Sequence, residues 1–386
     1  MLLIFVIQKQ TPRNNQTMSS IFFIVLYGFI VCIASNLFLR VLREILIELH
    51  LFPKQKIRDI HNVPVPSLLG LGFGLLLLLS TFFFNEIYAV YFNYWSFIIS
   101  FFIIIFLGVI DDIITLSSYK KLIFQILAIF VLLKYNDNLV IDNLNFFLGI
   151  TEIPEPFNLI FTGFIGIIMI NGLNLIDGID GFAAIISIVC FSLFGGVFFM
   201  IDNYPILILA TAYIAIIIGY VPINISKTKK GFMGDSGSLF LGFGLYIFTL
   251  VFIQSDYSTL LNNLIASESL LPLIPLVIFF IPILDILSIY SYRISIGKNP
   301  LLADNFHLHH MLIWFTGLSH LAVSILTGLF LVTLSLAFLL LSNYLLPQYM
   351  IAVYFVFLFL LVKILNRYKP IMRAKIGDSH GNIENI

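Results

Sequence analysis

Long apolar runs, broken by short polar loops, fill almost the whole chain. Runs of about 17–25 apolar residues are long enough to cross a bilayer as helices, and eleven can be read here. They lie at approximately 20–39, 67–84, 95–110, 121–134, 158–174, 182–201, 204–221, 237–254, 270–290, 321–341 and 346–365. The fourth is short, and no loop is large enough to hold a soluble domain. The pattern predicts an all-α polytopic integral membrane protein with about eleven transmembrane helices. Its parts are an N-terminal segment (1–19), one multi-span domain (20–366) and a tail (367–386). The start, MLLIFVIQKQ, lacks a basic region before a short apolar run, so it is not expected to be a cleaved signal peptide.

Basic residues near span ends set orientation. One alternate set of loops carries Arg40, Arg43, Lys54, Lys56 and Arg58, then Lys120 and Lys121, then Lys227, Lys229 and Lys230, then Arg293 and Lys298. The tail adds Lys363, Arg367, Lys369, Arg373 and Lys375, whereas the opposite side has little beyond Lys9, Arg13 and Lys134. This places the C-terminus in the cytoplasm and the N-terminus outside. The unusual polar clusters fall on the same inner face, so chemistry is expected there.

Composition narrows the picture further. The chain has 386 residues, of which 60% are hydrophobic and 10% charged, and its formal net charge is zero. No global basic field points to nucleic acid. Cys32 and Cys190, the only cysteines, lie within apolar runs, which excludes a disulfide framework or a cysteine metal site.

Four inner-face clusters carry candidate chemistry. The third span ends in Asp111 and Asp112, with Lys120 and Lys121 following. Adjacent carboxylates repel and call for a compensating cation, although a solvated helix end and simple positive-inside anchors read the same way. The second cluster, NGLNLIDGIDGFAA (171–184), spaces Asn171, Asn174, Asp177 and Asp180 by three. An ionised Asp at the bilayer centre costs about 2.5–3.5 kcal/mol, so this pair needs an interface, a polar cavity or a cation. On a helix, residues three apart are neighbours, which lets Asn174, Asp177 and Asp180 converge; an ordinary polar turn is the plainer reading.

In KKGFMGDSGSLFLGF (229–243), Asp235 sits among Gly234, Ser236, Gly237 and Ser238 just before a span. Exposed N–H groups at such a helix start suit phosphate, and Ser236 or Ser238 also reads as a plain N-cap. The fourth cluster, RISIGKNPLLADNFHLHHML (293–312), crowds Arg293, Lys298, Asp304, His307, His309 and His310 into one loop, as anion or metal binding would require. The zinc motif HExxH is missing. The oxygen-rich set Asp111, Asp112, Asp177, Asp180 and Asp235 favours Mg²⁺ or Mn²⁺ shared with substrate phosphates.

In order and spacing, VIDD, NLIDGIDG, FMGDSGS and HLHH resemble the polyprenyl-phosphate N-acetylhexosamine-1-phosphate transferases, glycosyltransferase family 4, over about residues 56–320. IHNVPVPSLLGLG (60–72) is similar to the family's first inner loop, with Leu68 and Leu69 where Gly-Gly is usual; this departure bears on Lys56, Arg58 and His61. His307-Leu308-His309-His310, with PILDILSIYSYRISIGKNP (282–300), resembles the branch using UDP-N-acetylglucosamine rather than the peptidoglycan-precursor branch.

The resemblance implies an enzyme of the bacterial inner membrane with a cytoplasmic active site. It would transfer a sugar-1-phosphate from a UDP-N-acetylhexosamine to undecaprenyl phosphate and release UMP, initiating a cell-envelope polysaccharide. It implies Asp235 as Mg²⁺ ligand, Asp111 at the lipid phosphate with Asp112 assisting, and Asn174 and Asp177 toward the nucleotide diphosphate. Lys121 would be a phosphate counter-charge, Phe232 a uracil platform, and Asp180 with Asn224 partners of the base. His307, His309, His310 and Arg293 would clamp sugar and pyrophosphate. Homodimers occur in the family, and no interface is legible here. From other classes, a transporter would carry polar residues at mid-membrane in several spans and an internal repeat, and an inactive scaffold would show decayed acidic motifs; neither pattern is evident.

Overall fold

The computed structural model describes residues 13–52, 65–82, 94–255, 257, 260, 265, 267–299 and 306–379. Lys56, Arg58, His61 and Asp304 lie outside the described residues. In chain order the helices are α1 (Arg13–Glu48), α2 (Leu69–Phe82), α3 (Tyr94–Ile114), α4 (Ser118–Lys134), α5 (Phe157–Ile176), α6 (Phe182–Met200) and α7 (Tyr204–Asn224). They continue as α8 (Gly234–Ile253), α9 (Leu273–Ile278), α10 (Phe280–Ser295), α11 (Leu308–Thr316), α12 (His320–Leu341) and α13 (Pro347–Ser379).

Every one of the eleven apolar runs falls on helix, but among the described residues only eight helices are long and apolar enough to span. A ninth is counted if the pair 268–278 and 280–295, bent by 72° at its break, is taken as one span. Two of the eleven runs fall outside that count, since the described part of α2 has 14 residues and α4 has 17. At 1.5 Å per residue α4 reaches about 26 Å, short of a hydrocarbon core of about 30 Å. The expectation of an all-α chain is also corrected locally. Asn143–Phe147 (β1) pairs antiparallel with Ile150–Glu152 (β2), in a hairpin too short to leave a periodic signal.

Helix α8 is the axis of the bundle: 94% of its most apolar window is buried, against 11% for α1 and 22% for α13. The peripheral helices turn large apolar side chains outward, such as Phe29 and Phe359, as lipid contact requires. Lipid is as apolar as leucine, so helix association depends on close packing at small residues. Here α2 and α3 press their backbones against the first turn of α8 through Gly70 and Gly108. A Cβ at those positions would lie 2.0 Å from the Gly237 nitrogen and 2.3 Å from the Ser236 Cα. Farther along α8, aromatic rings fill the core, with Tyr213 stacked on Phe191 at 4.3 Å and packed beside Phe240 at 5.2 Å. The packing brings the start of α8 against the ends of α3 and α5 and the start of α4.

Candidate active site

Lys121, in the first turns of α4, bridges two carboxylates from distant parts of the chain. Its Nζ lies 2.6 Å from Asp235 Oδ2 and also pairs with Asp111. Asn174, near the end of α5, donates from Nδ2 to Asp235 Oδ1 at 2.9 Å and to Ser238 Oγ at 2.8 Å. The second oxygen of Asp111 accepts the Leu116 N–H at 2.6 Å. Three of the four sequence clusters therefore contribute to one group built around Asp235.

Asp112 points the other way from its neighbour in sequence. Its two oxygens accept the N–H groups of Asp235 at 2.8 Å and Ser236 at 3.1 Å, capping α8 from another helix. The phosphate-like geometry expected at GDSGS is thus present, but the anion seated there belongs to the protein. The plain N-cap expected of Ser236 or Ser238 is corrected for the same reason: their hydroxyls donate to the Met233 and Gly234 carbonyls. Gly234 makes this approach possible. Its φ is +66°, and a Cβ there would lie 2.0 Å from the Ser67 carbonyl oxygen and 2.5 Å from both Asp112 oxygens.

The spacing of three in 171–180 holds as a helical ladder only to Ile176, where α5 ends. Asn171 pairs with Gln125 through both amide atoms, at 2.8 and 3.2 Å, away from the carboxylates. Asp177 follows the helix end and makes no side-chain hydrogen bond or ion pair with another described residue. Burial, followed by the negative charges of Asp235, Asp112 and Asp180, pushes its carboxyl up to about 8. Asp180 is neutralised by Lys230 at 2.7 Å, with His320 Nδ1 at 3.5 Å. The Lys230 ammonium also lies 5.2 Å from the centre of the half-buried Phe232 ring.

Asn224 is committed to scaffolding. Its Oδ1 accepts the Gly181 N–H at 2.6 Å, and its Nδ2 donates to Tyr220 OH at 2.7 Å. The histidine loop is anchored by a residue that the sequence showed only as an acid inside a span. Asp285, fully buried in α10, accepts the Leu308 N–H at 2.6 Å and pairs with His307 Nδ1 at 2.8 Å. His309 is 1% exposed, its ring nitrogens have no hydrogen-bond partner among the described residues, and a Cβ on Gly178 would fall 2.1 Å from its Nε2. Burial, then the neighbouring histidines 310, 307 and 320, hold its pKa well below the ordinary value. His310 lies beside it, with ring centroids 4.3 Å apart. Arg293 is buried in the last turn of α10.

Among the described residues, no three His, Cys, Asp or Glu side chains are preset at metal-binding spacing. Carboxylate oxygens are the donor chemistry of a hard cation such as Mg²⁺, and here Asp111 and Asp235 share Lys121 while Asp177 lies beside the charges of Asp235 and Asp112.

Residues 94–253 match the sequence model of glycosyl transferase family 4, a stretch that holds all of these carboxylates. The chain is 28% identical over 214 residues to the undecaprenyl-phosphate alpha-N-acetylglucosaminyl 1-phosphate transferase of Escherichia coli O157:H7, covering 54% of this chain and 55% of that protein. It is 34% identical over 228 residues to the probable undecaprenyl-phosphate N-acetylglucosaminyl 1-phosphate transferase of Bacillus subtilis (strain 168), covering 57% and 58%. A Salmonella typhi relative named as in Escherichia coli is 25% identical over 289 residues, covering 72% and 73%. The chain thus spans little more than half the length of the first two relatives. Over residues 94–253, and through those relatives, the chain is similar to glycosyl transferase family 4.

Proposed function

We propose that the protein transfers N-acetylglucosamine-1-phosphate from UDP-N-acetylglucosamine to undecaprenyl phosphate at the cytoplasmic face of the bacterial inner membrane. An oxygen of the lipid phosphate attacks the sugar-bearing phosphorus. The bond from that phosphorus to the bridging oxygen breaks, UMP leaves with the electron pair, and a lipid-linked sugar diphosphate remains. The observation that carries this reading is the gathering of four carboxylates at the ends of three apolar helices, with Lys121 paired to Asp111 and Asp235, Asp112 seated on the first N–H groups of α8, and Asp177 beside the charges of Asp112 and Asp235. Such a site calls for further positive charge, and a phosphate substrate brings it as a bound cation. The relatives are named for the lipid and the sugar, and both are carried over from them.

Asp235 and Asp177 would hold Mg²⁺, with Mn²⁺ as the substitute, and the ion would neutralise charge on the diphosphate. The protein's own residues position the reactants, which is most of what phosphoryl transfer needs. Lys121 holds Asp111 and Asp235 together and supplies a cation next to the incoming phosphates. Asp111, fixed by Lys121 and the Leu116 N–H, presents a carboxylate to orient the lipid phosphate and take its proton. Asn174 fixes the rotamer of Asp235. Lys230 and Phe232 offer a charge and a ring face to the uridine half, and the loop anchored by Asp285 brings His307, His309 and His310 toward the sugar phosphate.

The test uses protein purified in detergent with undecaprenyl phosphate, radiolabelled UDP-N-acetylglucosamine and Mg²⁺. Label entering the lipid phase with matching UMP release is expected, lost with chelator and in Asp235→Asn. A folded wild-type protein that transfers nothing from a panel of UDP-sugars would overturn the proposal.

A further inference from the structure

Helices α1 and α7 are fastened along their length. Ser35 Oγ donates to the Ile216 carbonyl at 2.9 Å and Asn36 Nδ2 to the Gly219 carbonyl at 2.8 Å. Beyond Gly219 comes Pro222, in the last turn of α7. There the two helices and residues 226–229 line a cavity of about 300 Å³. Its charged walls are Arg40, Arg43 and Lys229 against a single carboxylate, Glu44.

Arg43 is already used: its NH1 pairs with Glu44 at 2.7 Å and its Nε donates to the Lys230 carbonyl at 2.8 Å. Arg40 and Lys229 are exposed and form no ion pair with any other described residue. Among the described residues, two cations are therefore left without an ion pair in a half-open cavity at the end of the bundle that carries the carboxylate site.

We propose that this cavity binds the phosphate of an anionic phospholipid, whose acyl chains lie along α1. The apolar side of the cavity decides between a lipid and a free anion. Val41, in its wall, ends a ridge of Phe29, Ile33, Leu37 and Val41, spaced four apart on one helix face and 64, 45, 60 and 58% exposed. A soluble phosphate gains nothing from such a ridge, whereas a lipid fills it and delivers one negative charge to the two unpaired cations. Basic pockets between helices at a membrane surface recognise headgroups in this way.

The lipid would also reach the catalytic side. Arg43 holds the Lys230 carbonyl, and the Lys230 side chain neutralises Asp180, so a seated headgroup steadies the segment that carries Lys230 and Phe232. This site involves none of the residues assigned to catalysis and stands whether or not the proposed transfer is correct.

Native mass spectrometry of the detergent-purified full chain, titrated with phosphatidylglycerol, phosphatidylcholine or inorganic phosphate, tests the proposal directly. Phosphatidylglycerol is expected to stay bound in preference to phosphatidylcholine. The Arg40→Gln/Lys229→Gln variant should bind it roughly thirtyfold more weakly. The Lys363→Gln/Arg367→Gln variant, which removes two exposed charges from α13, should bind it like wild type. Both variants are checked by gel filtration and thermal melting; if Arg40→Gln/Lys229→Gln does not fold, Arg40→Lys/Lys229→Arg must retain phosphatidylglycerol. Equal binding of the two lipids would overturn the proposal, as would equal losses in the two Gln pairs. Saturation by inorganic phosphate that displaces no lipid would assign the cavity to a free anion.

Discussion

Asp112→Asn separates a structural carboxylate from a chemical one, because the side chain keeps its shape and loses only charge and one acceptor. In the wild type, Asp112 satisfies two of the four N–H groups that a helix start leaves open, those of Asp235 and Ser236. The asparagine oxygen can serve one, while its NH₂ faces the other, donor against donor. Leaving a buried N–H bare costs about 1–3 kcal/mol, and the lost attraction of a carboxylate for the helix N-terminus adds about 0.3–1 kcal/mol, more in a partly buried setting. A destabilisation of about 2–3 kcal/mol follows, on the order of 5 °C in melting temperature. Asp112→Ala, which abandons both groups, should lose more. Thermal melting in detergent, followed by tryptophan fluorescence from Trp95 and Trp314, reads the effect, and transfer activity is measured on the same preparations. If Asp112→Asn melts like wild type yet transfers nothing, Asp112 acts on substrate and the capping argument fails.

Two further substitutions probe the frame of the site. Gly234→Ala combines a left-handed backbone, which costs a non-glycine residue about 1–2 kcal/mol, with a Cβ 2.0 Å from the Ser67 carbonyl oxygen; its yield of monodisperse protein should fall well below wild type, and an equal yield would refute the clash. Asp285→Asn keeps an acceptor for the Leu308 N–H but gives up the carboxylate paired with His307. Under the proposed function, KM for the UDP-sugar should rise about tenfold with a smaller change in kcat, and an unchanged KM would show that the histidine loop holds its place without Asp285.

The positions of the helices were legible because run length and hydropathy are local properties. All eleven runs fall on helix among the described residues, while run length alone does not show that α4 is apolar yet short or that a 72° bend divides 268–295. The hairpin at 143–152 escaped because ten residues around Leu148 and Gly149, both at positive φ, are too few to show alternation. In the site, residue types were legible and pairings were not. Adjacent Asp111 and Asp112 look alike in sequence, yet one faces Lys121 and the other caps a helix more than a hundred residues away. Asn224 reads as a recognition group, but its amide is consumed by Gly181 and Tyr220. Asp285 stood out only as an acid inside a span, because its partner lies 22 residues on, past a bend and a loop.

Sorting the acidic residues by partner shows where the site is incomplete. Asp112 is satisfied by backbone, Asp180 by Lys230, and Asp285 by the Leu308 N–H and His307. Asp111 and Asp235 divide one lysine between them. Asp177 alone has no partner among the described residues and is crowded by three like charges. A chain that dilutes its charges to 10% of its residues and still spends them here has not placed them for stability, since a half-buried carboxylate crowded by like charges costs free energy. The cost is recovered when a cation arrives with its phosphate, so the same arrangement that weakens the empty site would favour the loaded one.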